Sequence, residues 1–474
     1  MRRTVHALLA FTLGALGCAQ GPVYDVVLTG GRVIDPASGL DAVRNVGIQG
    51  RTIAAVTEDE LHGTTEFDVS GLVVAPGFID LHRHGDSAPN YRAQIHDGIT
   101  SALELEIGVE NVAAWYAERA GVTPVNFGAA ASHPYSRNVV LFRRNTGLAA
   151  NETSGEPASP EQIAATVERI ETGLQEGAVG VGFGIVYTPG INAEELKAAF
   201  AAAARASAAA HVHIRADPGD FSNLDEVFAA AESTGASLHI VHINSSGGDR
   251  ALQYLERIQA ARDRGLDVTT ECYPYNRGST AIDSHQYDDW ESYSDEKFAA
   301  FTWVDTGESL NRESFAKYRA LGGTIISPAT YSLETVKALV AHPMTMIASD
   351  GMWLTNGKAH PRTFGTFSRV LGRYVREEKA LTLNEALAKM TIQPARRLEK
   401  RAPMMARKGR LEVGADADIV VFDAATVTDE ATYEDPAQYS SGFRHVFVNG
   451  VPTLRDGAFI EGAAGGVGIK AGGA

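Results

Sequence analysis

The chain has 474 residues, 44% of them apolar, 8% aromatic and 21% charged, an ordinary globular balance with core enough for one large domain and a satellite. A formal net charge of -16 argues against nucleic acid or an anionic membrane surface as partner, since both require a basic footprint. The two cysteines, Cys18 and Cys272, are too few for a disulfide framework, so stability must come from packing.

Taken in chain order, the first feature is a leader. Arg2 and Arg3 give a positive start, and Val5 to Leu16 form an apolar run too short to span a bilayer. Ala15-Leu16-Gly17-Cys18 then resembles a bacterial lipobox. Residues 1–22 are expected to be an export signal, with Cys18 as the site of a lipid anchor and plain signal-peptidase cleavage as the competing fate. The predicted location is the periplasm or the lipid-anchored face of a bacterial envelope.

From Val23 to Val74 the runs are short and β-like, as in Asp25-Val-Val-Leu, Gly31-Arg-Val-Ile and Thr52-Ile-Ala-Ala-Val, punctuated by Gly and Asp-Pro. Similar runs return near the far end, in Asp418-Ile-Val-Val-Phe and His445-Val-Phe-Val-Asn-Gly. Neither set makes a good sheet alone. One small β-sandwich built from both chain ends, residues 23–74 plus 405–460, is the economical reading.

Between them, residues 75–404 alternate apolar strands with alanine-rich helices. Eight strands are expected: Val73–Ile79, Thr100–Ile107, Val125–Ala131, Val179–Ile185, His211–Ala216, Leu238–Asn244, Leu266–Tyr273 and Met344–Ser349. Helices such as Ala193–Ala210 and Asp249–Arg264 intervene, so the fold class is α/β, a (β/α)8 TIM-like barrel. Residues 282–322, rich in Asp, Ser, Tyr and Trp, are too long for a plain connection and are predicted to be a lid. Residues 461–474 are Gly/Ala-rich and expected to be a flexible tail.

In this architecture chemistry sits where the strands end. Strand one ends in His82-Arg83-His84, which puts two imidazoles on one side of an extended backbone. Strand two ends in Glu104-Leu105-Glu106; two inward carboxylates are costly unless a cation is present. Strand five carries His211-Val212-His213, strand six His239-Ile240-Val241-His242, and strand eight runs into Ser349-Asp350-Gly351. Nearness to the strand end favours His213 and His242 over His211 and His239, which are second choices or supporting residues. Together these residues describe a divalent-metal cage whose imidazole and carboxylate ligands suit Zn2+, as one ion or two, with Mn2+, Co2+ or Fe2+ as other candidates.

Val74-Ala-Pro-Gly-Phe-Ile-Asp-Leu-His-Arg-His closely resembles the strand-one signature of the amidohydrolase superfamily. Tyr187-Thr-Pro-Gly, His213-Ile-Arg, Tyr273-Pro-Tyr-Asn-Arg-Gly-Ser-Thr, Ser349-Asp-Gly, His360-Pro-Arg-Thr-Phe-Gly-Thr-Phe and Gly414-Ala-Asp-Ala-Asp-Ile-Val-Val-Phe-Asp resemble its N-acyl-D-amino-acid deacylase (D-aminoacylase) branch. The resemblance implies that His82 and His84 hold a more exposed metal position, His213 and His242 a tightly held zinc, and that Asp350 is the catalytic aspartate and a further ligand. It also implies that Tyr187, Ser279 and Arg362 hold the α-carboxylate of a small-molecule substrate, for which a planar guanidinium fork is suited. Two departures stand out. The branch has a cysteine ligand after strand two, where this chain reads Glu106-Ile107-Gly108, so Glu106 is the candidate bridging ligand and Glu104 the second. Some relatives acting on acidic D-amino acids carry a lysine where this chain has Asn244.

The implied reaction is metal-dependent hydrolysis of a linear amide, N-acyl-D-amino acid to D-amino acid plus carboxylate, with Asp350 moving the proton from water to the leaving amine. The rivals are an exported dipeptidase or other amidohydrolase acting on peptide-like substrates and, from another class, a non-catalytic envelope scaffold that keeps the barrel.

Overall fold

The structure is a computed structural model that describes residues 23–472; the leader, with Cys18, lies outside the described residues. Both chain ends meet in one nine-stranded sheet. Its N-terminal strands are Val23–Asp35, Leu40–Gln49, Thr52–Thr57, His62–Asp68 and Val73–Pro76, and its C-terminal strands Ile419–Phe422, Phe443–Val448, Val451–Arg455 and Ala458–Phe459. The seam is the antiparallel pair of Val73–Pro76 with Ile419–Phe422. Val26, Leu28, Ile48, Val74, Ile419 and Phe447 form the core beneath it.

The eight parallel strands of the barrel are Phe78–Asp80, Ile99–Val109, Asn126–Ser132, Gly180–Gly184, Ala209–His213, Ser237–Ile240, Val268–Cys272 and Thr345–Ile347, numbered one to eight below. The ring closes between strands one and eight at the rim, where Asp350 N donates to His82 O at 2.8 Å and His84 N to Gly351 O at 2.7 Å. The expected strand Val73–Ile79 is in fact two. Val73–Pro76 belongs to the end sheet and Phe78–Asp80 to the barrel, with Gly77 between them donating to Asp418 O. Apolar patterning cannot see such a hand-over, because both halves are buried.

Residues 282–322 fold on a core of their own. Strands Arg277–Ala281, Thr302–Trp303 and Thr324–Ala329 form a small sheet, and Ile282, Tyr287, Phe298, Phe301 and Phe315 pack together above it. The tail does not behave as its composition suggests. Val467 O and Ile469 N bond the backbone of Phe127 in barrel strand three, Tyr116 Oη donates to Ile469 O at 2.5 Å, and Ile469 is fully buried. Small residues let the tail lie flat against the barrel, and its backbone bonds anchor it as far as Ala471.

Candidate metal centre

Barrel strand two brings the acids to the rim. Glu104 and Glu106 lie two residues apart and so share a face. Pairing with strand three breaks between Glu104 and Val109, where Gly108 takes φ +72° against the Ala130 carbonyl; an added Cβ would sit 2.6 Å from that oxygen. An irregularity of this kind re-aims the side chains at a strand end. Strands six and eight end similarly: His242 (φ +31°) and Asp350 (φ +49°) both hold the left-handed conformation. Non-glycine residues accept that strain where a site over-determines them.

Glu106 is the hub. Its Oε1 lies 2.6 Å from His213 Nδ1 and 3.2 Å from His242 Nε2, and its Oε2 lies 3.1 Å from His82 Nε2 and 3.0 Å from His84 Nε2. Asp350 Oδ1 approaches the same two nitrogens, at 3.4 Å and 3.6 Å. Three overlapping trios of donors lie within 4.8 Å of one another: His82, His84, Glu106; Glu106, His213, His242; and His82, His242, Asp350. The six residues expected to hold metal therefore converge on one point.

The electrostatics ask for a cation. Burial alone would lower the His84 imidazole, yet Glu104 and Glu106 carry it up to about 10, and His82, facing Asp350, Glu106 and Glu271, is likewise held well above its ordinary 6.5. Burial works against the Glu106 carboxylate too, but His82 and the imidazoles bonded to it hold it well below 4.5. At His82 and His84 a proton takes the place where a divalent ion would supply the same compensation, and the clustered nitrogen and oxygen donors suit zinc. The residues present fit the metal.

The second-choice residues lie one layer back. Glu104 faces His84 Nδ1, at 2.8 Å, and so orients that ring. His239 bonds Thr269 Oγ1 and Glu271 Oε2, and both nitrogens of the buried His211 lack a partner among the described residues. Sequence reasoning assigned no role to Glu271. Its Oε1 holds His82 Nδ1 at 2.7 Å, the counterpart of Glu104 on His84. The only sequence signal for it is an acid in a short, otherwise uncharged β-branched strand, Val268-Thr-Thr-Glu-Cys. Asp80 went unnoticed too; it takes Ser349 N at 3.0 Å and Ser349 Oγ at 2.5 Å, fixing the turn that presents Asp350.

Above the donors, a pocket is lined by Leu148, Tyr187, Ser279, Gln286, Tyr287, Met352 and Arg362. Tyr287 and Gln286 come from the 282–322 insertion. Arg362 is 1% exposed and lies over the Tyr273 ring. Its Nη2 meets Asp350 Oδ2 at 3.0 Å and Ser279 O at 3.2 Å, while Nε and Nη1 have no partner among the described residues. His360 Nδ1 accepts from Arg362 N at 3.0 Å, so it shapes the loop that carries the arginine. Tyr187 Oη pairs with Thr280 Oγ1 at 2.9 Å. Ser279 lines the pocket, but its hydroxyl donates to Ile325 O and offers no free proton to a carboxylate.

A closed parallel barrel with histidines and acids gathered at its rim defines a metal-binding (β/α)8 protein. Two models described as "Amidohydrolase family" match residues 73–239 and 251–454. The N-acyl-D-glutamate deacylase of Alcaligenes xylosoxydans xylosoxydans is 34% identical, over 90% of this chain and 93% of its own. The D-aminoacylase of the same organism is 30% identical, over 93% and 97%. The chain belongs to the amidohydrolase family. Among solved structures, N-acyl-D-glutamate deacylase from Bordetella bronchiseptica, in complex with zinc and a phosphonate mimic of the tetrahedral intermediate, superposes with a TM-score of 0.81 at 28% identity, covering 95% of this chain and all of its own. A D-aminoacylase structure gives 0.78 at 27%, covering 94% and 100%.

Proposed function

We propose that this protein is a metal-dependent deacylase that hydrolyses N-acyl-D-amino acids to a free D-amino acid and a carboxylate. One observation carries the reading: the donors around Glu106 sit directly beside a buried arginine with two unengaged nitrogens. Amide hydrolysis of a substrate with a free carboxylate needs both. The preference for the D-series is supported by the relatives, which act on D-amino-acid derivatives.

A divalent ion held by His82, His84, Glu106, His213, His242 and Asp350 would acidify water and polarise the scissile carbonyl. Asp350 lies between the imidazoles and Arg362, where its carboxylate takes a proton from the attacking water and returns it to the departing amine nitrogen. The donors of Arg362 left free by Asp350, on Nη1 and Nε, are available to bind the α-carboxylate. Burial and the nearby Glu106 keep the Tyr187 phenol well above its ordinary 10, so it remains a donor beside that carboxylate. Tyr287 and Gln286 close the pocket from the insertion and exclude water.

The pocket also indicates which side chain is accepted. Among the described residues, Arg362 is the only lysine or arginine lining it, and none of them offers a second such cation to an acidic side chain. Asn244 is fully buried, and its Nδ2 donates to the Tyr273 carbonyl and the Tyr331 hydroxyl, so it too stays out of the pocket. The favoured substrate carries a neutral side chain. Kinetics on N-acetyl-D-methionine, N-acetyl-L-methionine, N-acetyl-D-glutamate and a D-dipeptide check this; turnover confined to the dipeptide or the L-series would refute it. We also place the enzyme in the bacterial envelope, on the Arg2-Arg3 start, the apolar run and Cys18. Palmitate labelling lost in Cys18→Ser supports the anchor, and an unprocessed cytosolic product refutes export.

A further inference from the structure

The opposite end of the barrel holds a second polar site. Barrel strands five to eight begin around a cavity of about 400 Å3, bounded by the helix Ile392–Glu399 and the residues that follow it. That volume lies within the range of small-molecule pockets, roughly 300–1,000 Å3. Arg262, Arg396, Arg397, Lys400 and Arg401 line the cavity against a single carboxylate, Asp267, in a chain whose net charge is -16.

These cations are not used up by the fold. Only Arg401 is fully committed, donating to the carbonyls of Leu174, Ala178 and Ala206. The Arg397 side chain is 5% exposed; its Nη1 meets Asp267 Oδ1 at 2.7 Å, while Nε and Nη2 have no partner among the described residues. Arg262, Arg396 and Lys400 make no side-chain hydrogen bond or ion pair among the described residues. A buried guanidinium with empty donors, surrounded by like charge, is a costly arrangement that an anion relieves. Beside the Arg397–Asp267 pair, three unpaired cations have no carboxylate to balance them, and the free Nε and Nη2 of Arg397 form a fork that matches the oxygens of a phosphate.

We propose that this cavity binds a phosphate group, carried by inorganic phosphate or by a small phosphate ester. The site is independent of the rim, which lies at the other end of the strands.

The test is calorimetric titration of the zinc-loaded full chain with inorganic phosphate and with glycerol 3-phosphate, at ionic strength fixed with chloride. Saturable binding of one phosphate group per chain is expected, weakened at least tenfold in Arg397→Met and in the double variant Arg396→Gln/Lys400→Gln. That double variant alters exposed, unpaired side chains and keeps amide hydrolysis unchanged. Tighter binding of the ester assigns a phosphorylated small molecule, and equal binding assigns phosphate itself. Absence of saturable binding overturns the proposal. Binding that survives in both variants also overturns it, because it would place the phosphate at the metal centre.

Discussion

The two ends of this barrel are built from the same strands yet carry opposite chemistry. At the rim, Glu104, Glu106, Glu271 and Asp350 crowd around imidazoles, and acid is in surplus. At the floor, Arg397 pairs with Asp267 and three further cations are unpaired among the described residues. A buried polar column joins them, from His82 through Glu271 and His239 to Thr269, which lines the floor cavity. Each end therefore calls for a ligand of the sign it lacks, a cation above and an anion below.

The largest expected effects come from the rim. Chelation should abolish turnover, with zinc restoring it, and Asp350→Asn should lower kcat by roughly 10²–10⁴-fold while metal analysis still finds zinc. Full activity in the chelated protein would mean that the acid surplus has another purpose. Next in size is Arg362→Lys. Loss of the free guanidinium donors should lower kcat/KM by about 10–100-fold, chiefly through KM, and a pure kcat effect would move Arg362 from substrate binding to support of Asp350.

Glu271→Gln probes the column. With His82 no longer held by a carboxylate, zinc affinity measured against a chelator should weaken by roughly 10–100-fold. An unchanged affinity would make Glu271 a packing residue. The smallest effect is the proton count. With His84 carried up to about 10, its ring holds a proton at pH 8 in the metal-free protein, and zinc must displace it. Zinc binding should therefore release protons, seen as a buffer-dependent calorimetric heat, and affinity should fall with each unit of acidification. Heat independent of buffer would contradict that charge balance.

Most of the rim cluster was legible in the sequence because its histidines and acids sit near strand ends, where a polar residue interrupts an apolar run. His82, His84, Glu106, His213, His242 and Asp350 all announce themselves this way. Proximity to the strand end also separated His213 and His242 from His211 and His239 before any geometry was available. Glu271 and Asp80 escaped because each reads as an isolated acid, to which only a partner from a distant strand gives meaning. The floor escaped for a similar reason: Arg262 and the Arg396–Lys400 cluster lie far apart in the chain, and each reads as a solvated helix face. Composition misled at the tail, where Gly and Ala signal flexibility but serve close packing against Phe127. It misled again at Gly77, where one apolar run feeds two sheets.

The metal site proposed at the rim is organised by Glu106. Diffraction at the zinc edge from crystals of the zinc-loaded protein tests it most directly. An anomalous peak is expected within the bounds of Glu106, His213 and His242, with any second peak on the side of His82 and His84. Zinc located elsewhere, with these six side chains still bonded only to one another, would contradict it.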